Sequence, residues 1–443
     1  NYYDELEVGD YYLASSSRDG SIRLWRVDND VRPLPHTNRV FDVAFSPNGT
    51  MLASSGRKNI RLWRLSDYSM VAHIGHQDGD LYSLSYGQTE AIQMLAVGDS
   101  LGKISLWRPQ ISTDKVYKQW QAHQSRDARA ADEGVYTVQF SPNPFCFRGS
   151  GGFSQACLAS GGADGWVKLW STRGELLGKH QVSPGTITSV SFTPDGGRLA
   201  VATRPPVDQG AQAAGQIYVL GIDNSSPGQL KLTPAASTAA QPPHHTGGIL
   251  TLAFHPQRDD ELISGGEDGT IHRWRLRNGT LSAVGNPMNR HQDAVTRVAY
   301  NPEGTLIASS SNDGSVNLWH AGSHRIVSSL NRHERLVAKV IFNPMQPNIL
   351  ASAGFDNRVL IWDIPSHLNI DPLERLAERG CRSTERYINA MLVSDLEYAP
   401  LTGPRISGTN WNSHLDETTL REIKQFCTKK ITDGDDRGTA RGN

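Results

Sequence analysis

The stretch His291–Trp319, HQDAVTRVAYNPEGTLIASSSNDGSVNLW, decides the fold. It holds three short apolar runs separated by two turn signals. Val295, Arg297, Val298 and Tyr300 mark the first run, closed by Asn301-Pro302-Glu303-Gly304. Leu306-Ile307-Ala308-Ser309 is the second, closed by Asn312-Asp313-Gly314. Val316-Asn317-Leu318-Trp319 is the third, with β-branched and aromatic residues in alternation, as strands require. Asp-Gly between apolar runs signals a hairpin, because glycine takes positive φ at no steric cost. A meander this small cannot bury its own faces, so it needs neighbours of the same kind.

The chain supplies them. The Trp that closes the third run recurs as Trp25, Trp63, Trp107, Trp170, Trp274, Trp319 and Trp362, with Leu220 at the aligned place. The spacings run from 38 to 63 residues, the shorter ones near the period of propeller blades. A His precedes most units: His36, His76, His123, His245, His291 and His333; the fourth unit offers only His180. A Ser stands ten residues before the Trp at Ser15, Ser160, Ser264, Ser309 and Ser352. The tight-turn Asp recurs at Asp19, Asp164, Asp268, Asp313 and Asp356.

On these residues the chain resembles the WD40-repeat family, from near its N-terminus to about residue 363. The resemblance implies an all-β, seven-bladed WD40 β-propeller. In that fold each sequence unit gives the outer strand of one blade and then the three inner strands of the next. It also implies a hydrogen-bonded network within a blade, made by His123, Ser160, Asp164 and Trp170, by His245, Ser264, Asp268 and Trp274, by His291, Ser309, Asp313 and Trp319, and by His333, Ser352, Asp356 and Trp362. The physics agrees, since a buried indole N–H or hydroxyl left unpaired costs about 1–3 kcal/mol.

Composition narrows the function classes. Hydrophobic residues make up 37% and charged residues 20%, as in globular chains, and 42 glycines suit a turn-rich β architecture. A net charge of −1 argues against a global nucleic-acid or membrane-binding field. No run of about 18 apolar residues occurs, and the acidic NYYDELEVGD start has no signal-peptide core. Cys146, Cys157, Cys381 and Cys427 show neither C-x-x-C spacing nor disulfide-rich density, which points to a reducing cytoplasm.

Catalytic and ligand-binding signatures are missing from the sequence. Gly149–Gly152 has no following Lys-Ser/Thr, and no G-x-S-x-G or H-E-x-x-H occurs. His244, His245 and His291 stand at repeat spacing without clustered carboxylates, which reads as structure rather than a metal site. Arg57, Lys58 and Arg61 read as a solvated face. The sequence therefore reads as non-catalytic, with no cofactor and no metal. The alternative is an enzyme of hydrolase or lyase type with its site in the central channel, which needs acidic, His or metal groups converging from several blades.

Taken in order, residues 1–26 read as the remnant of a preceding repeat: 11–26 give second and third strands, and no first strand precedes them. Residues 27–363 form the seven-bladed ring, with 27–36 as the outer strand that pairs with the strand ending at Trp362. The alternative is an eighth blade built from 11–26 and part of the C-terminal tail. Residues 364–431 read as a small helical appendage, opened by Asp371-Pro372-Leu373-Glu374, and 432–443 as a disordered tail. Within the ring the first unit has a turn one residue short, Gly56-Arg57-Lys58-Asn59, and the second has Val97 in the Ser place. The third carries inserts at 124–134 and about 143–156, and the fourth one at 205–215, followed by a low-complexity stretch, 224–243.

LERLAERGCRSTERYI, 373–388, resembles the segment that follows the propeller in large bacterial, mostly cyanobacterial, WD40 proteins with an upstream effector or signal-transduction ATPase (STAND) module. It departs from them at Ser383-Thr384, where that family usually has Trp-Leu. This second resemblance implies the C-terminal sensor part of a larger signalling protein.

In the WD40 fold the loop before the first strand and the turn between second and third strands open on one face, so the 124–134 and 205–215 inserts share it. Loops carry recognition on a rigid scaffold. The expected partner is a protein or peptide, not nucleic acid or membrane. Its candidate contacts are Arg126, Asp127 and Arg129 in one loop, Asp208 and Gln209 in the other, and Trp166, expected to be exposed beside the blade-three turn.

Overall fold

In the computed structural model, blade six shows how the sequence pattern becomes structure. Its inner strand Val295–Tyr300 pairs with Leu306–Ser311, which pairs with Val316–His320, which pairs with the outer strand Ile326–Leu330, all antiparallel. The Asn301–Gly304 turn closes through the Gly304 N–H donating to the Asn301 carbonyl at 2.9 Å. The Asn301 side-chain oxygen accepts from the N–H groups of Thr305 and Leu306, both at 2.9 Å. Gly304 has φ +71, and a Cβ there would stand 2.4 Å from the His255 imidazole of the neighbouring blade. Both its conformation and its space exclude a side chain.

The structure describes residues 11–16, 22–27 and 31–364, apart from 76–78, 90–91, 112–114, 125–133, 145, 149–153, 183–184, 206–213, 226–229 and 239–244. Six further sheets repeat the blade-six pattern. From inner to outer strand, blade one is Val40–Phe45, Met51–Gly56, Asn59–Arg64 and Met70–Gly75. Blade two is Leu81–Gln88, Gln93–Asp99, Lys103–Trp107 and Lys118–Gln121. Blade three is Val135–Phe140, Cys157–Gly162, Trp166–Ser171 and Leu176–Gln181. Blade four is Thr186–Phe192, Arg198–Arg204, Ile217–Asp223 and Lys231–Ser237. Blade five is Ile249–His255, Arg258–Gly266, Ile271–Arg277 and Thr280–Ala283. Blade seven takes Val337–Phe342, Ile349–Gly354 and Arg358–Asp363 from one end of this span and its outer strand, Val31–Pro35, from the other.

That last pairing closes the ring. Val31 lies opposite Trp362 and Pro35 opposite Arg358. The inner strand of each blade packs against the next, and that of blade seven against that of blade one. Two edges that would otherwise stand open are thereby removed. Seven blades suffice, and the eight-bladed alternative is not adopted. Tyr11–Ser16 and Ile22–Val27 pair with each other as a separate two-stranded sheet. The expected appendage and tail lie outside the described residues.

The core lies between the blades rather than at the centre. One wedge joins Ile60, Leu62 and Ile74 of blade one to Leu84, Leu95 and Trp107 of blade two. Another joins Ile263 and Ile271 of blade five to Val298, Ile307 and Trp319 of blade six. Each sheet buries both faces, one against each neighbour, so second strands are largely buried and built of apolar and small residues; that of blade six is fully buried.

Three features go beyond what the sequence reading gave. Part of the low-complexity stretch, Lys231–Ser237, is the outer strand of blade four, so its poor composition hides a strand. The insert near 143–156 is not wholly irregular: Phe147–Arg148 pairs with Ser154–Gln155. Cys146 and Cys157, 6% and 1% exposed, are joined in a disulfide with Cα atoms 6.1 Å apart, which cysteine spacing did not suggest. Among the described residues no helix is long and apolar enough to cross a membrane.

Candidate functional site

Side-chain relays run through the blades that carry the full residue set. In blade six the Trp319 indole N–H donates to Ser309 Oγ at 2.9 Å, and Ser309 Oγ lies 2.7 Å from His291 Nε2. His291 Nδ1 meets Ser315 Oγ at 2.9 Å and Asp313 Oδ2 at 3.4 Å. Blade three repeats this with Trp170 to Ser160 at 2.8 Å, Ser160 to His123 at 2.7 Å and His123 to Asp164 at 2.8 Å. Blade five uses Trp274, Ser264, His245 and Asp268, with steps of 2.8, 2.8 and 3.1 Å. Blade seven uses Trp362, Ser352, His333 and Asp356, with steps of 2.8, 2.7 and 2.9 Å.

One proton order satisfies every group: Trp donates to Ser, Ser donates to Nε2, and Nδ1–H donates to Asp. The imidazoles are then neutral. Burial pushes His36 down to about 3 and lowers His123 and His291. Burial would raise Asp164, Asp268, Asp313 and Asp356, but hydrogen bonds from the imidazole, hydroxyl or turn N–H groups prevail and hold them below the ordinary carboxyl range. The set resembles a Ser-His-Asp triad. However, Ser160, Ser264, Ser309 and Ser352 are 0% exposed, so no substrate can reach those hydroxyls.

The remaining blades depart in instructive ways. Blade one holds a relay that the ten-residue spacing missed: Trp63 donates to Ser54 at 2.8 Å, and Ser54 meets His36 at 2.8 Å. Its turn is one residue short, so the serine stands nine residues before the Trp. In blade two Val97 offers no acceptor, and the buried Trp107 Nε1 has no partner among the described residues. His76 lies outside the described residues. Blade four has Leu220 opposite Leu199 and no relay. His180 is not its counterpart, because it sits in the outer strand of blade three opposite Val167.

A second set of polar groups, not singled out from the sequence, lines the central channel. At the aligned place of the inner strands, the third residue in six of them and the fourth in blade four, stand Asp42, Ser83, Thr137, Ser189, Thr251, Arg297 and Lys339. Ser83, Thr137, Ser189 and Thr251 each accept a backbone N–H from the next blade, at 3.0 to 3.3 Å. Asp42 does the same for Leu84 at 2.7 Å and ion-pairs with Lys339. Aligning the seven inner strands shows this column in the sequence; only the ring shows that it faces one axis.

Where the inner strands begin, aromatic rings gather. Phe355 meets Phe41 edge-on at 5.4 Å, Phe41 meets Tyr82 at 5.8 Å, and Tyr82 stacks on Tyr136 at 5.6 Å. Arg39 stands over Phe355 at 5.1 Å, and all four rings are partly exposed. The 124–134 and 205–215 stretches leave the ring at this same end, since Arg204 lies opposite Thr186 at the start of its inner strand. Arg126, Asp127, Arg129, Asp208 and Gln209 lie outside the described residues. Trp166, expected to be exposed, is half-buried, with Lys179 at 5.1 Å from its ring.

Elsewhere the buried Glu261, 1% exposed, holds Arg258 at 3.1 Å and Arg275 at 3.4 Å, so its carboxylate is already engaged. His245 and His291 are each committed to the relay of their own blade, and among the described residues no three His, Cys, Asp or Glu side chains are grouped to hold a metal.

Seven four-stranded blades with repeated Trp–Ser–His–Asp relays define a WD40-repeat β-propeller. The sequence pattern of the WD domain, G-beta repeat, matches residues 8–26, 30–64, 122–171, 238–275, 284–320 and 324–363. The gaps between those matches hold blades two and four, the two blades without a Trp–Ser–His relay among the described residues.

Among curated proteins the chain is similar to telomerase protein component 1 of Mus musculus, 26% identical over 370 residues, which cover 80% of this chain and 12% of that protein. It is also similar to nuclear distribution protein PAC1 of Fusarium vanettenii, 33% identical over 161 residues, covering 32% of this chain and 35% of that protein. The U4/U6 small nuclear ribonucleoprotein PRP4 of Saccharomyces cerevisiae is 31% identical over 153 residues, covering 34% of this chain and 29% of that protein. The chain thus spans about a third or less of each of these relatives' length.

Proposed function

We propose that the propeller is a non-catalytic platform that binds a protein or peptide on the face where the inner strands begin. The observation that carries the reading is the partly exposed arc of Phe355, Phe41, Tyr82 and Tyr136 with Arg39 at that mouth. Aromatic rings and arginine dominate binding energy at interfaces. The 124–134 and 205–215 stretches break the ring's symmetry at the same end, so Arg126, Asp127, Arg129, Asp208, Gln209 and Trp166 remain the rim candidates. The Trp–Ser–His–Asp relays serve as locks within blades. The relatives' names, a telomerase component and a ribonucleoprotein among them, support a role within assemblies.

In this reading the chain is the sensor part of a larger cytoplasmic signalling protein with an upstream effector or ATPase domain. The test of the platform is to replace 124–134 and 205–215 with short Gly-Ser turns, and separately to make Tyr82→Ala and Trp166→Ala. Melting should change little for the loop exchanges, and partner recovery from a lysate should fall with each change. Undiminished recovery of the same partners from all of them would move the binding surface elsewhere. Location is checked by alkylating thiols in denatured, unreduced protein: Cys146 and Cys157 blocked in cells would report an oxidising compartment and overturn the cytoplasmic assignment.

A further inference from the structure

The opposite end of the channel, where the inner strands finish, holds a cavity of about 520 Å³. Pro142, Pro194, Pro256, Pro302 and Pro344 stand around it, one from each of blades three to seven. This volume falls within the range of small-molecule sites. Arg297 and Lys339 line it, and no Asp or Glu does.

The polar inventory of this cavity is lopsided. Gln139 Oε1 already accepts from the Phe192 N–H at 3.0 Å, and Ser191 Oγ from the Phe254 N–H at 3.1 Å. With those oxygens engaged by the neighbouring blade, the Gln139 amide NH₂ and the Ser191 hydroxyl proton are left as donors. Lys339 has one carboxylate, Asp42, and that carboxylate also accepts the N–H groups of Val43 and Leu84. Arg297 has no hydrogen bond and no ion pair among the described residues. The three charged groups therefore sum to one net positive charge, in a place where a lone cation is costly. Arginine has five N–H donors and cannot relieve that cost by losing its proton.

We infer that this cavity binds a phosphorylated small molecule, its phosphate held between Arg297 and Lys339 at the cavity's inner end, near the starts of their strands. A guanidinium fork beside a second cation matches phosphate geometry and charge, and such contacts are short and strong. Gln139 and Ser191 offer neutral donors further along the cavity wall, to the remainder of the ligand. The volume exceeds what inorganic phosphate needs, so the remainder of the ligand lies against the Pro and aromatic walls. The assignment suits a built site: burial lowers Lys339 to about 8, Arg297 adds to that lowering, and an arriving anion relieves both. It does not rest on the protein-binding reading, which is drawn from the aromatic arc around the other mouth.

The experiment titrates the intact protein with inorganic phosphate and pyrophosphate, following melting temperature and calorimetric heat, against chloride at matched ionic strength. Saturable stabilisation by phosphate or pyrophosphate, absent with chloride, is expected. Arg297→Gln should weaken it by about tenfold or more, and Arg297→Lys, which keeps the charge but loses the fork, by less. Arg297 makes no hydrogen bond among the described residues, so both variants should melt near the wild-type temperature without phosphate. Should either fail to fold, the wild-type comparison of phosphate with chloride still decides. The inference falls if phosphate and pyrophosphate act no differently from chloride, or if folded Arg297→Gln binds them as tightly as the wild type.

Discussion

Ser309→Ala is the sharpest test of the relay. It deletes one oxygen that serves two partners, since Ser309 Oγ accepts from Trp319 Nε1 at 2.9 Å and donates to His291 Nε2 at 2.7 Å. Trp319 is 4% exposed, so its N–H has no water to turn to. Each buried polar group left unpaired costs about 1–3 kcal/mol. The histidine side is partly covered, because Asn317 Nδ2 stands 3.4 Å from His291 Nε2 and can donate there. The sum is about 2–4 kcal/mol, far above a typical surface Ser→Ala change. Trp319→Phe costs about 2–4 kcal/mol through lost volume and a stranded Ser309. In the double variant no indole N–H remains to be stranded, so its cost should fall short of the sum of the singles by about 1–2 kcal/mol. Trp319→Ala, which empties the wedge shared with Ile263, Ile271 and Val298, should cost about 3–5 kcal/mol. Urea midpoints at constant slope give these values. A Ser309→Ala midpoint equal to wild type, or strict additivity of the pair, would refute the relay as an energetic unit.

Val97→Thr should stabilise by about 1 kcal/mol, because it offers the orphaned Trp107 N–H an acceptor with little change of volume; a lower urea midpoint would show that the hydroxyl cannot reach it. A chain starting at residue 37 loses Val31–Pro35 and exposes the Arg358–Asp363 edge, so it should melt lower and aggregate, while one starting at 28 should not; identical melting of the two would mean the ring closes otherwise. Acid should destabilise in two windows. His36 resists its proton down to about 3 when folded and takes it near 6.5 when unfolded. Stability is therefore complete above that upper value and falls as pH drops toward the lower one, by up to about 1.4 kcal/mol per pH unit for each such histidine. His123 and His291 act in the same direction, and the lowered Asp carboxyls add further loss below their ordinary range, so a urea midpoint unchanged from pH about 7 to about 4 would contradict neutral imidazoles.

What the sequence determined by itself was whatever is local and repeated. Alternating apolar residues and Asn-Pro-x-Gly or Asn-Asp-Gly turns specify three strands of a blade, because strand period and turn chemistry are short-range. The Trp, Ser, His and Asp spacing located four relays for the same reason. Where a turn lost one residue the spacing shifted, and Ser54 escaped notice until pairing placed it beside Trp63. Lys231–Ser237 escaped too, since an outer strand keeps one face exposed and needs little apolar character. Other features belong to the ring alone. Arg297, Lys339 and Asp42 are far apart in the chain and meet because seven inner strands share one axis. The ring also decides that Val31–Pro35 completes blade seven: those residues have the pattern of any exposed strand, and their partner lies more than 300 residues away in the sequence. Phe41, Tyr82, Tyr136 and Phe355 become a surface only when their blades are neighbours. Long-range proximity is set by closure of the sheet edges and packing between blades, which no short window of residues encodes.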